Sequence, residues 1–228
     1  MRTSLACAAL LLWAAGAAAQ DYDYKLLGAG VRSRPKVDGF SERTTELIPV
    51  LRYFGQRWYT RTTQGILEGG ARWNVSPGWY VGAQLAYEPG PDDRDPGASI
   101  GVHTEWRRKL GPVPVIGLVR LRQNVDSDRG LLADFRAVSG VYQGHGFIAA
   151  VFGQFTIASD KYYRAYYGVD ESGLLYASLG VQVAYNLSRH WLLVGSGERK
   201  HMSDNAARSP IVVQRSASDF ALGVAYNF

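Results

Sequence analysis

The last nine residues, Phe220-Ala-Leu-Gly-Val-Ala-Tyr-Asn-Phe228, alternate without a break. Phe220, Leu222, Val224, Tyr226 and Phe228 share one parity, and small or polar residues hold the other. A period of two puts each set on one face of an extended chain, so the segment reads as a β-strand with one apolar face. The pattern recurs upstream. Trp79, Val81, Ala83, Leu85 and Tyr87 oppose Tyr80, Gly82, Gln84 and Ala86, and Ala98, Ile100, Val102, Thr104 and Trp106 oppose Ser99, Gly101, His103, Glu105 and Arg107. Ala177, Leu179, Val181, Val183 and Tyr185 likewise oppose Ser178, Gly180, Gln182 and Ala184. Segments of about ten residues of this kind have the period of a transmembrane β-barrel, although a soluble sandwich would hide such faces equally well.

The two ends separate these alternatives. A terminal strand closing on an aromatic resembles that of bacterial outer-membrane β-barrels, where it is the address read by the barrel-assembly machinery. The resemblance makes Phe220, Leu222, Val224, Tyr226 and Phe228 the assembly signal and implies a Gram-negative outer membrane with its lipid as surroundings. At the other end, Met1-Arg2, an apolar run from Leu5 to Ala15 and the small residues Ala17-Ala18-Ala19 form a secretory signal peptide over residues 1–19. Residues 20–228 are then a single outer-membrane barrel domain. Cys7, the one cysteine, precedes the apolar run instead of following it, so it is not placed for acylation and leaves with the signal. Cleavage also removes Arg2, lowering the formal charge from +5 to +4. No later stretch reaches the roughly eighteen apolar residues of a membrane helix. The basic balance is spread singly over many strands, so no nucleic-acid partner is expected.

Turn signals divide the chain into about twelve strands of a single antiparallel all-β barrel. Short connections at Gly55-Gln56, Asn74 to Gly78, Lys109 to Pro112, Gln143 to Gly146 and Ser188-Arg189 alternate with longer ones at Pro35 to Thr45, Glu88 to Gly97, Gln123 to Gly130, Ser159 to Gly173 and His201 to Ser216. Short periplasmic turns and longer external loops predict this alternation, with one tight external turn at Gln64-Gly65. Trp58, Trp79 and Trp191 then start strands just after short turns, and Trp73 and Trp106 end strands just before them. With Phe147, Tyr185, Tyr226 and Phe228 they form an aromatic girdle at the periplasmic interface.

The face opposite the apolar one points into the lumen. It carries Arg72, Glu105, Arg120, Arg122, Asp134 and Arg136, together with Arg32, Arg52, Glu68, Arg107, Glu198, Lys200 and Asp219. Charges enclosed by a wall must pair or stay wet. A paired, plugged interior and an anion-leaning pore both satisfy that requirement, and the strand registers decide between them.

Longer motifs narrow the family. The stretch Asp160-Lys-Tyr-Tyr-Arg-Ala-Tyr-Tyr167-Gly-Val169, the tetrad Ser209-Pro-Ile-Val212, the closing Gly223-Val-Ala-Tyr-Asn-Phe228 and an early Pro35-x-x-x-Gly39 run over nearly the whole mature chain. In these the chain resembles the MltA-interacting protein (MipA/OmpV) family of outer-membrane proteins. Tyr167 stands where that family more often has Phe, and Val37 where a Tyr is usual. The resemblance implies a non-enzymatic scaffold that holds a peptidoglycan lytic transglycosylase near a bifunctional peptidoglycan synthase in cell-wall growth. Porin-like and adhesive members of the family leave a small pore for polar solutes as the alternative. His201-Met-Ser203-Asp204-Asn205 looks superficially like the His-x-Ser of lipid A deacylases, but its residues are also ordinary for a loop. His103, His145 and His190 lack metal-ligand spacing, so no metal or cofactor is expected.

Overall fold

The computed structural model describes residues 25–88 and 97–228; the signal peptide expected at 1–19, the start from Gln20 to Tyr24 and the middle of the Glu88–Gly97 connection lie outside them. The strands are β1 (Leu26–Pro35), β2 (Arg43–Phe54), β3 (Trp58–Thr63), β4 (Ile66–Ser76), β5 (Trp79–Glu88) and β6 (Gly97–Leu110), followed by β7 (Val113–Asn124), β8 (Leu131–Gly144), β9 (Phe147–Ala158), β10 (Gly173–Asn186), β11 (Trp191–Met202) and β12 (Ser216–Asn227). Each pairs antiparallel with its neighbours in sequence, and β12 pairs with β1, so the sheet is a closed twelve-stranded barrel. Closure satisfies the backbone without leaving an edge. Among the described residues two α-helices lie in the long connections, α1 (Asp160–Tyr167) and α2 (Asp204–Ala207), besides one 3-10 turn at Ser127–Arg129.

Turn chemistry sets the two rims apart. Among the described residues, one rim carries the connections 55–57, 77–78, 111–112, 145–146 and 187–190; the other carries 36–42, 125–130, 159–172 and 203–215, with Gln64-Gly65 as its single tight turn. At Gln64-Gly65 (φ 53° and 79°) and His145-Gly146 (φ 51° and 74°), both central residues have positive φ, as a type I′ hairpin requires to match strand twist. Among the described residues the short-turn and long-loop rims agree with the sequence expectation, including the exceptional tight turn.

The alternation holds around the wall. Leu47, Leu179, Leu85, Phe220, Phe155 and Val102 point outward and are between 55 and 83% exposed. Inward, the lumen divides into two chemistries along its length. Toward the short-turn rim most inward positions are apolar, among them Leu26, Ile48, Leu118, Phe152 and Leu192, all buried, with Arg52, Arg72 and Arg107 only at the mouth. Toward the long-loop rim they are charged. A two-residue period sorts in from out but carries no information about depth.

Beyond the charged layer a cap closes the long-loop end. Ser159 starts α1, its Oγ accepting from the Tyr162 N–H at 3.4 Å, and Gly168 ends it in the left-handed region at φ 66°. The helix buries Tyr163 and Tyr167 against Ala158, Leu175, Tyr176, Met202 and Ala206.

Candidate functional site: the lumen and its cap

Register places the lumen charges opposite one another. Arg120 faces Asp134 across the β7–β8 pair, and its Nε donates to Asp134 Oδ2 at 2.9 Å. Arg122 Nε reaches the same oxygen at 3.1 Å, while Thr156 Oγ1 donates to Asp134 Oδ1 at 2.9 Å. Arg120 also pairs with Glu68 on β4, a contact that spans the interior. Glu68 in turn accepts from Arg61 Nε at 3.2 Å, and Arg61 Nη1 donates to Glu105 Oε2 at 3.2 Å. A second cluster joins Arg32 to Asp219 at 3.1 Å, Asp219 to Lys200 at 3.2 Å, and Lys200 to both carboxylate oxygens of Asp38 at 3.1 and 3.2 Å. Separately, Gln64 Nε2 donates to Glu198 Oε2 at 2.6 Å.

Burial shows how dense this layer is. Glu68, Asp134 and Arg120 are 0, 1 and 2% exposed. Ions this dry hold their charge only because each is met by opposite charge and hydrogen bonds in good geometry.

The pairing differs in detail from parity alone. Arg136 meets neither Asp134 nor Glu105; its Nη1 donates to Gln154 Oε1 at 3.2 Å, and its guanidinium lies 3.8 Å over the Phe152 ring. Arg72 sits in the outer reach of the short-turn mouth, bonded to the Gly55 carbonyl at 3.2 Å and stacked on Phe54 and Tyr80. Arg107 bonds Glu105, and Arg52 is exposed at the same mouth with its guanidinium over Phe54. Sequence reasoning missed Arg61, although its inward parity beside Tyr59 was a usable signal. It also missed Asp38, which lies in a loop and has no period to betray it.

Below the charged layer is a cavity of about 860 Å³, lined by Ile48, Val50, Ile116, Leu118, Phe152 and Leu192 and reaching the turns at Pro77-Gly78 and Pro112. Arg32, Arg61, Arg136, Glu105, Glu198 and Asp219 bound its inner end. The lumen is thus a cup with apolar walls, a cationic mouth at the short-turn rim and a floor of ion pairs.

The remaining sequence candidates fall on the wall and the rim. Phe220, Leu222, Val224 and Tyr226 face outward from β12, and Phe228 lies just past it with its N–H bonded to the Lys25 carbonyl at 3.2 Å. Trp58, Trp79 and Trp191 are the first residues of β3, β5 and β11, Trp73 and Trp106 lie near the ends of β4 and β6, and all five are exposed at the short-turn rim. Trp79 faces Trp106 in register. His201 and Ser203 are turned apart: the His201 ring bonds Ser216 Oγ at 3.0 Å, and Ser203 Oγ accepts from the Ala206 N–H at the start of α2.

The motif residues meet in the cap. Ser209 Oγ donates to the Tyr167 carbonyl at 2.5 Å, joining the tetrad to the end of α1. The Val213 and Gln214 N–H groups both donate to the Gly39 carbonyl at 2.9 Å, and Gly39, at φ 99°, leaves room for Val212. Burial holds the Tyr163 and Tyr167 hydroxyls above the ordinary tyrosine range. Three stretches far apart in sequence therefore form one plug, and the profile of the family described as "MltA-interacting protein MipA" matches residues 27–228, taking in all of them. The chain belongs to the MipA family. No curated protein matches it closely enough to add to that. Among solved structures it is similar to the NanC porin (TM-score 0.57, 10% identity, 89% of this chain and 100% of that one). It is also similar to the translocator domain of the autotransporter NalP from Neisseria meningitidis (TM-score 0.55, 9% identity, 98% of this chain and 95% of that one). At such identities these likenesses speak for the barrel fold alone.

Proposed function

We propose that this MipA-family barrel sits in the outer membrane of a Gram-negative bacterium, short-turn rim toward the periplasm, and acts as a non-enzymatic scaffold linking a lytic transglycosylase to a peptidoglycan synthase. The observation that carries this reading is the asymmetry of the lumen: the long-loop end is filled by ion pairs and the α1 cap, while the other end is an open apolar cup. A conducting pore calls for a continuous wet path, and a dry layer around Glu68, Arg120 and Asp134 works against one. A docking protein calls for a surface offered to one side, which the cup and its rim supply. The family description, MltA-interacting protein, supports the same choice.

The test pairs affinity capture of periplasmic wall enzymes on purified, folded protein with conductance in planar bilayers. Capture should fall when charge is introduced at Gly111-Pro112 or His145-Gly146. It should be unchanged when the exposed Asp204–Arg215 ion pair of the opposite rim is replaced by serines. Steady anion-leaning channels that change on Arg136→Ala, with no enzyme captured, would replace the scaffold by a pore.

A further inference from the structure

The outward face of β2, β1, β12 and β11 carries a built cationic site near the long-loop rim. Its origin is a missing donor. Pro35 ends β1 without an N–H, and the β1–β12 ladder stops at Ser33 and Phe220. Arg43, the register partner of Pro35 on β2, crosses β1 instead: its Nη1 donates to the Ser218 carbonyl on β12 at 2.8 Å. Its Nη2 donates to the Ser33 carbonyl at 3.0 Å and to Ser33 Oγ at 3.1 Å, and Nε to the same hydroxyl at 3.3 Å. Every one of these acceptors is neutral, so the guanidinium is held in place with its charge uncompensated.

Arg199 is the register partner of Ser218 on β11. It is exposed on the same outward face, and among the described residues neither Arg43 nor Arg199 makes an ion pair. Two guanidinium groups thus approach Ser218 from β2 and β11, Arg43 by reaching across β1 and Arg199 as the register neighbour, and their like charges repel unless an anion lies between them. Their depth is informative too. Leu179, paired with Arg199, is 74% exposed, and Phe220, Val31 and Leu47 continue the apolar band below. Cations directly above an apolar outer wall belong at headgroup level, since in hydrocarbon they would be strongly disfavoured.

We infer that Arg43 and Arg199 form a binding site for the phosphate of a lipid headgroup in the leaflet next to the long-loop rim, which under the orientation proposed above is the external leaflet with its phosphorylated glycolipid. The wall holds Nε, both Nη2 donors and one Nη1 donor of Arg43, so Arg43 offers a phosphate its fixed charge and the remaining Nη1 N–H, while the exposed Arg199 supplies the planar fork that matches two phosphate oxygens. Ser33 and Ser218 hold the first arginine in its pose.

Native mass spectrometry of the detergent-purified, heat-modifiable folded protein tests this with diphosphorylated lipid A, its dephosphorylated form and inorganic phosphate. Retention of the diphosphorylated lipid should exceed that of the dephosphorylated lipid by about tenfold or more, and Arg43→Ala with Arg199→Ala should remove the difference. Arg199→Ala alone disturbs no hydrogen bond of the wall, so a partial loss there reads the site in a barrel that still folds. Equal retention of the two lipids, or full retention by the double variant, overturns the site. Displacement by millimolar inorganic phosphate would mean a free-anion site instead of a lipid site. Because the leaflet rests on the proposed orientation, an Asp204→Cys variant labelled on intact cells reads that separately. Labelling from outside supports the glycolipid, and its absence overturns the choice of lipid while leaving enzyme capture to judge the scaffold.

Discussion

Arg120 and Arg122, two residues apart on β7, converge on a single carboxylate oxygen of Asp134, at 2.9 and 3.1 Å. Asp134 is therefore the counter-charge for two buried cations at once. Its replacement by Ala should destabilise the barrel by about 3–5 kcal/mol, the range for removing one partner of a buried ion pair. Glu198→Gln, which breaks no ion pair among the described residues and can still accept from Gln64, should cost well under half of that. Urea titration of the refolded barrel in lipid vesicles measures both, and equal losses would show that the Asp134 layer is wet.

Arginine placed on the outer wall tests the inside–outside assignment. Val102→Arg should cost about 2–4 kcal/mol if it lies near mid-membrane. Gln182→Arg should be mild, because Gln182 lines the cavity and an added cation there can reach water. Gln84 has the same inward parity but is 2% exposed and accepts from Tyr59 OH at 3.2 Å, so Arg there should be damaging through overpacking. The same vesicle titration ranks the three.

The cap should loosen in alkali. Burial raises the Tyr163 and Tyr167 hydroxyls above the range of a solvated tyrosine. Above about pH 10 the open state gains by ionising, whereas the closed cap keeps its protons. The contribution is intact below pH 10 and falls as pH rises toward the higher folded values. Cleavage at Lys161 and Arg164 by an alkali-tolerant protease should accelerate over that window, and Tyr167→Phe should blunt the rise.

Removal of Phe228 probes assembly. Its N–H bond to Lys25 brings the two ends of the barrel together beside the β1–β12 seam. The deletion should leave export and signal cleavage normal but lower the heat-modifiable folded form in the outer-membrane fraction. Unchanged folded levels would remove Phe228 from the assembly signal.

The alternation of Trp79 to Tyr87 and of Phe220 to Phe228 was enough to set strand type and facing, because the two-residue period is local geometry. The turn dipeptides Gln64-Gly65 and His145-Gly146 placed hairpins for the same reason, each needing only its own φ angles. Depth and partnership are not local. That Arg120 finds Glu68 fifty-two residues away, that Arg136 instead lies over Phe152, and that Asp38 reaches down to Lys200 all depend on barrel closure and register. The same closure divides one inward face into an apolar cup and a charged floor, and it gathers Gly39, Tyr167 and Ser209 into one cap. Hydrophobic pattern carries the wall, since each residue needs only water or lipid to choose its side; the interior waited on tertiary structure, since a buried charge is defined by what stands opposite.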